Sequence, residues 1–168
     1  MHVTIYNPNV KDKTNNTIVT TMLQGLTRVT DKNILVSLSR TPGQIKPADL
    51  VIICFNTSKI SKKQLRKIKR IATVFYEKEM AITYVGTDSK DLSDLEEELK
   101  KYGPIRETMF LKQTSLLSKI GFYKLSAQDL TRANAFGEKI VNRTFGSSYK
   151  KEKGKEKIKG SYVYAITL

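Results

Sequence analysis

Hydrophobic and polar positions change period several times along the chain, and each change marks an element boundary. His2 to Tyr6 alternates as a strand and is followed by the turn-prone Asn7-Pro8-Asn9 and a polar stretch from Val10 to Asn16. From Thr17 to Val29 the apolar residues Ile18, Met22 and Leu26, with Gly25 beside them, recur at helical spacing. Asn33 to Leu38 reads as a second strand. The connection Ser39 to Ala48 holds Pro42, Gly43 and Pro47 and leads into Leu50 to Phe55, a run that is apolar at every position. A strand without alternation is one buried on both faces, as in the middle of a parallel sheet covered by helices on each side.

Ser61 to Lys78 predicts the most strongly amphipathic helix. Leu65, Ile68, Ala72 and Phe75 share one arc, and Lys62, Lys63, Arg66, Lys67, Lys69 and Arg70 occupy the opposite one. Met80 to Val85 is a further strand, closed by Gly86-Thr87-Asp88. Asp91 to Tyr102 is a helix with acidic residues early and Lys100-Lys101 at its end, as the helix dipole favours, and Gly103-Pro104 stops it. Ile105 to Leu111 predicts a fifth strand. Ser126-Ala127-Gln128-Asp129 forms a capping-box start for a last helix that turns Leu130, Ala133, Gly137, Ile140 and Val141 toward the core.

Strands alternating with helices make an α/β protein with a parallel sheet and helices on both faces. We expect this domain to cover residues 1–145. Residues 146–168 differ in character: six lysines against Glu152 and Glu156, then the apolar strand candidate Ser161 to Leu168. They read as a lysine-rich extension whose terminal strand needs cover from water.

Composition narrows the function. A chain of 168 residues, 39% hydrophobic and 27% charged, has a proper core and is neither disordered throughout nor a large multidomain enzyme. A net charge of +14 favours polyanionic partners. The single cysteine, Cys54, cannot form an internal disulfide and lies in the apolar run, where a thiol behaves as a small hydrophobe. With His2 as the one histidine, a Cys/His metal site and a serine triad at Ser58 or Ser61 both lack partners, and no metal is expected. Glu96, Glu97 and Glu98 point in different directions around a helix, which excludes a carboxylate dyad. No secretory signal or membrane-length apolar run is visible, so we expect a cytoplasmic protein with no membrane contact.

Three segments carry a family resemblance. Lys13-Thr14-Asn15-Asn16-Thr17 resembles the phosphate loop of flavodoxins. The longer Asn7 to Thr17 connection is closer to NAD(P)H-dependent FMN reductases. Tyr84-Val85-Gly86-Thr87-Asp88 is similar to the family's Gly-Thr-rich loop, and Asp129 to Ile140, with its Phe136-Gly137 pair, is similar to its last helix. The resemblance implies a flavodoxin-like three-layer sandwich with a five-stranded parallel sheet of order 2-1-3-4-5, the ligand lying outside the carboxyl ends of the strands. It further implies FMN as cofactor, electron or hydride transfer with a redox partner, and an FMN-dependent oxidoreductase as the enzyme class.

The cofactor would lie against Thr14, Asn15, Asn16, Thr17, Asn56, Thr57, Ser58, Gly86, Thr87 and Asp88. Backbone N–H groups at a helix N-terminus can cradle a phosphate without a lysine. Asn16 or Thr14 could equally serve as helix caps, and Asp88 as the cap of the acidic helix. The chain departs from the family in its flavin-stacking loops, where neither Asn56 to Ile60 nor Thr87 to Ser89 offers an aromatic ring.

A second reading keeps the fold and drops the flavin. Lys59 to Lys78 carries eight basic residues against Glu77. Together with the lysines of the extension it makes a basic binding module for nucleic acid or another polyanion, using Lys62, Lys63, Arg66, Lys67, Arg70, Lys150, Lys151 and Lys153. Solvation alone also accounts for such a helix face. A third reading is a structural protein whose terminal strand pairs with a sheet edge, within the chain or across a homodimer.

Overall fold

The computed structural model describes residues 2–9, 11–28, 34–44, 47–57, 60–113, 125–145 and 163–166. Its elements run β1 (His2–Tyr6), α1 (Lys13–Arg28), β2 (Leu35–Ser39), β3 (Leu50–Asn56), α2 (Lys62–Val74), β4 (Glu79–Gly86), α3 (Lys90–Leu99), β5 (Ile105–Lys112), α4 (Ala127–Phe145) and β6 (Val163–Ile166). A 3-10 turn, Pro42–Gln44, sits in the proline-bearing connection between β2 and β3.

All six strands belong to one sheet of order β5-β4-β3-β1-β2-β6, and every pairing is parallel. The first five therefore adopt the expected order 2-1-3-4-5. The terminal strand lies at the outer edge of β2, with Leu35 opposite Val163 and Leu38 opposite Ile166, so within this chain it extends the sheet.

The reason β3 shows no alternation is now visible. Its residues Leu50 to Phe55 are each at most 1% exposed. Because successive side chains point to opposite faces, Leu50, Ile52 and Cys54 enter one core with α1 and α4, while Val51, Ile53 and Phe55 enter the other with α2 and α3. Fully burying each of the Leu, Val, Ile and Phe side chains contributes about 1.5–3 kcal/mol, and the central strand collects that gain on both sides. β5, at the edge, is buried only at Met109 and Leu111. Ion pairs cover much of the rest: Glu107 of β5 meets Lys139 at 2.9 Å and Arg143 at 2.6 Å from α4, and Arg106 pairs with Glu79 of β4.

Two helix boundaries differ by four residues from those expected. α1 starts at Lys13, four residues before Thr17, because the Asp12 carboxylate accepts the backbone N–H of Asn15 at 3.0 Å and caps the helix there. α2 stops at Val74: the chain leaves helical geometry beyond Phe75, and Glu77 takes a left-handed φ of 63° with its N–H bound to the Tyr102 carbonyl at 2.7 Å. At the start of α2, Ser61 and Gln64 form a reciprocal capping box. Ser126 and Asp129 do the same at the start of α4, as their spacing predicts.

Candidate functional site

The carboxyl edge of the sheet gathers Asn7, Asn9, Asp12, Asn15, Asn16, Asn56 and Gln113 into one hydrogen-bonded network. Asn7 follows β1 directly and is 4% exposed. Its Oδ1 accepts the Asn9 N–H at 3.0 Å and the Asn15 Nδ2 at 2.6 Å, and its Nδ2 donates to Asn16 Oδ1 at 3.1 Å. From Asn9, Nδ2 donates to the Asn56 carbonyl at 3.0 Å, which ties the β1 loop to the end of β3. The side-chain amide of Asn56 donates to Asp12 Oδ2 at 2.7 Å, and Gln113 Nε2 donates to Asn56 Oδ1 at 2.7 Å from beyond β5. Backbone groups continue the tie: Thr57 N–H binds the Val85 carbonyl at 3.0 Å and Gln113 N–H the Gly86 carbonyl at 2.8 Å.

The expected cofactor contacts fall into this region unevenly. Thr14, Asn15, Asn16 and Thr17 lie inside the first turns of α1 and not in a loop before it. Thr17 donates its hydroxyl to the Lys13 carbonyl at 2.9 Å, and Asn15 is fully buried. Asn56 and Thr57 are half-buried at the end of β3, Gly86 is buried, Thr87 half-buried and Asp88 exposed. Asp88 accepts the Lys90 N–H at 2.9 Å, a local turn at the start of α3. Ser58 lies outside the described residues. The structure thus brings Asn15, Asn16 and Asn56 together through Asn7 and Asp12, which lie in the expected Asn7 to Thr17 connection but were not among the expected contacts. An aspartate three positions before Asn15, at the foot of a helical period, is the signal that locates the cap.

Three comparisons bear on this arrangement. No protein-family model and no curated protein matches the sequence. Solved structures do match. A flavodoxin from the domain Archaea aligns with a TM-score of 0.55 and 11% identity over 86% of this chain and 98% of its own. Two-electron reduced Megasphaera elsdenii flavodoxin gives 0.60 and 6% over 84% and 99%. A short-chain flavodoxin associated with a non-canonical PDU bacterial microcompartment gives 0.54 and 15% over 85% and 97%. The fold is flavodoxin-like.

Whether this flavodoxin-like chain is shaped for FMN can be tested on its own atoms. Where a phosphate would meet the N-terminus of α1, the Asp12 carboxylate already takes the Asn15 N–H. Asn15 Oδ1, buried in the same turn, has no partner among the described residues, and a phosphate oxygen, itself an acceptor, cannot supply one. A Cβ on Gly86 would lie 2.2 Å from the Tyr84 ring, so the space beside this glycine is filled by the protein's own aromatic side chain. The residues present do not fit the phosphate of FMN.

The cationic face lies elsewhere, on α2. Lys62, Lys63, Arg66, Lys67 and Arg70 are exposed and form no ion pair among the described residues. Lys69 is drawn aside by Glu98 of α3 at 2.7 Å. That hydrogen bond holds the Glu98 carboxyl below its usual range and the Lys69 ammonium above its own. Tyr76, 59% exposed, follows the end of the stripe. Lys150, Lys151 and Lys153 lie outside the described residues. Beside the stripe, a groove of about 330 Å³ separates α2 from α3, lined by Ile60, Leu65, Asp91, Asp94, Leu95 and Glu98. No helix among the described residues is long and apolar enough to cross a membrane.

Proposed function

We propose that this chain is a flavodoxin-like binding protein that engages a polyanion, nucleic acid first among them, through the exposed face of α2. The observation that carries the reading is the set of five exposed cations, Lys62, Lys63, Arg66, Lys67 and Arg70, none of them neutralised by a carboxylate among the described residues. From Lys62 to Arg70 the helix rises about 12 Å, enough to follow roughly three phosphates of one strand. The affinity of such a face comes mainly from release of condensed counterions and carries little sequence preference. Tyr76 offers a ring on which an unpaired base can stack. The test is fluorescence anisotropy with a labelled single-stranded oligonucleotide at moderate ionic strength. The Lys63→Glu, Lys67→Glu double variant should weaken binding by at least about tenfold; equal affinity of the two proteins removes the reading.

A redox reading is favoured by the flavodoxin neighbours. It requires FMN at the carboxyl edge and an electron-transfer partner. An absorption spectrum after FMN addition and desalting decides between the two, because a stoichiometric flavin band would make the redox reading the working one.

A further inference from the structure

The disagreement between this chain and a phosphate has a specific atomic origin. The N-terminus of a helix presents unpaired N–H groups and a partial positive charge, which a phosphate ester or a carboxylate satisfies equally well. In α1 the carboxylate is supplied from within. Asp12 is fixed from three sides: its own N–H donates to the Asn9 carbonyl at 2.9 Å, its Oδ1 accepts the Asn15 N–H at 3.0 Å and its Oδ2 accepts the Asn56 amide at 2.7 Å. Asn56 is in turn held by Gln113. The contacts join the loop after β1, the end of β3 and the segment beyond β5. An ordinary N-cap needs only the first turn of its own helix; this one is also bound by the loops that would face a ligand. Removal of the carboxylate would free the Asn15 N–H and the Asn56 amide together, two donors facing one vacated position.

We infer that Asp12 is a built-in anion that closes a phosphate-ester site at the N-terminus of α1, with the Asn15 N–H and the Asn56 Nδ2 as the donors it occupies. The consequence is a gain of binding on removing one carboxylate, which a purely structural cap would not produce. The first experiment titrates inorganic phosphate, then FMN, into the 15N-labelled protein and its Asp12→Gly variant while following the amides of residues 13–16 and the Asn56 side chain. In the unaltered protein these signals should stay in place at millimolar phosphate. In Asp12→Gly they should shift saturably, with phosphate or FMN bound at least about tenfold more tightly. Saturable shifts of the same amides in the unaltered protein would overturn the inference, and so would a natively folded Asp12→Gly that binds no better. Should Asp12→Gly not fold, Asp12→Ser keeps a capping oxygen on the Asn15 N–H but removes the charge and frees the Asn56 amide, so a smaller gain of the same sign is expected, and no gain overturns the inference. Repeating the titration in the Lys63→Glu, Lys67→Glu background separates this site from the face of α2: the gain must persist there, and its loss would reassign the binding to the stripe.

Discussion

Gly25 of α1 and Gly137 of α4 meet at the crossing of their helices, each lying against the backbone of the other. A Cβ on Gly25 would stand 2.0 Å from the Asn134 carbonyl oxygen, and one on Gly137 2.2 Å from the Met22 carbonyl oxygen. Either alanine would drive the helices apart. We expect Gly25→Ala and Gly137→Ala each to lower stability by about 3 kcal/mol, read as urea midpoints. Because one separation relieves both clashes, the double variant should fall short of the sum.

Asn7 is the hub of the carboxyl-edge network, and its replacement tests how much that network holds. Asn7→Ala leaves the Asn15 amide without its 2.6 Å acceptor in a fully buried position. An orphaned buried donor costs about 1–3 kcal/mol. Thermal unfolding should report a loss in that range, whereas Lys11→Ala, at an exposed residue of the same loop, should change it by less than about 0.5 kcal/mol.

Salt dependence distinguishes the α2 face from any uncharged surface. The logarithm of the oligonucleotide affinity should fall linearly with the logarithm of salt concentration. Each of Lys63→Ala and Arg66→Ala should flatten that slope by about 0.7 for a single strand. Lys69→Ala should leave it nearly unchanged, since Glu98 already neutralises that ammonium.

Alkaline pH should destabilise the fold. Burial pushes the Cys54 thiol from 9.0 up to about 12, and burial likewise raises the Tyr6 and Tyr84 hydroxyls above 10.0, with Asp91 adding to the Tyr84 shift. Above pH 9 for the thiol and above pH 10 for the tyrosines, the unfolded chain ionises these groups while the folded chain keeps them neutral. Their stabilising contribution is therefore complete below pH 9 and is lost as pH rises toward 12. The unfolding temperature should be level near neutrality and decline above pH 9, and Cys54→Ala, though less stable at neutral pH, should decline less steeply.

The sheet was legible in the sequence wherever burial alone sets the pattern. Leu50 to Phe55 announced a two-sided central strand, and the four helices were found because each has one apolar face. The start of α1 was not legible from periodicity, since Lys13, Thr14, Asn15 and Asn16 carry no apolar period and a cap is a matter of one carboxylate's placement. The same holds for the candidate site. Asn15, Asn16 and Asn56 were marked as ligand contacts, but their partners Asn7, Asp12 and Gln113 lie up to 57 residues away, a relation that only the assembled sheet edge creates. On α2 the stripe was evident from spacing, whereas the removal of Lys69 from it required α3 beside it.

The strand β6 rests on β2 by four register pairs, and the chain between the two holds β3, β4 and β5. Closing so long a loop is entropically little worse than closing one half its length, by about 0.6 kcal/mol, yet four pairs return little against it. We expect docking of β6 to be a late and shallow step of folding. Its amide protons should exchange with solvent well before those of β3, and each opening bares the edge of β2, giving the molecule a brief, reversible chance to accept a strand from another chain.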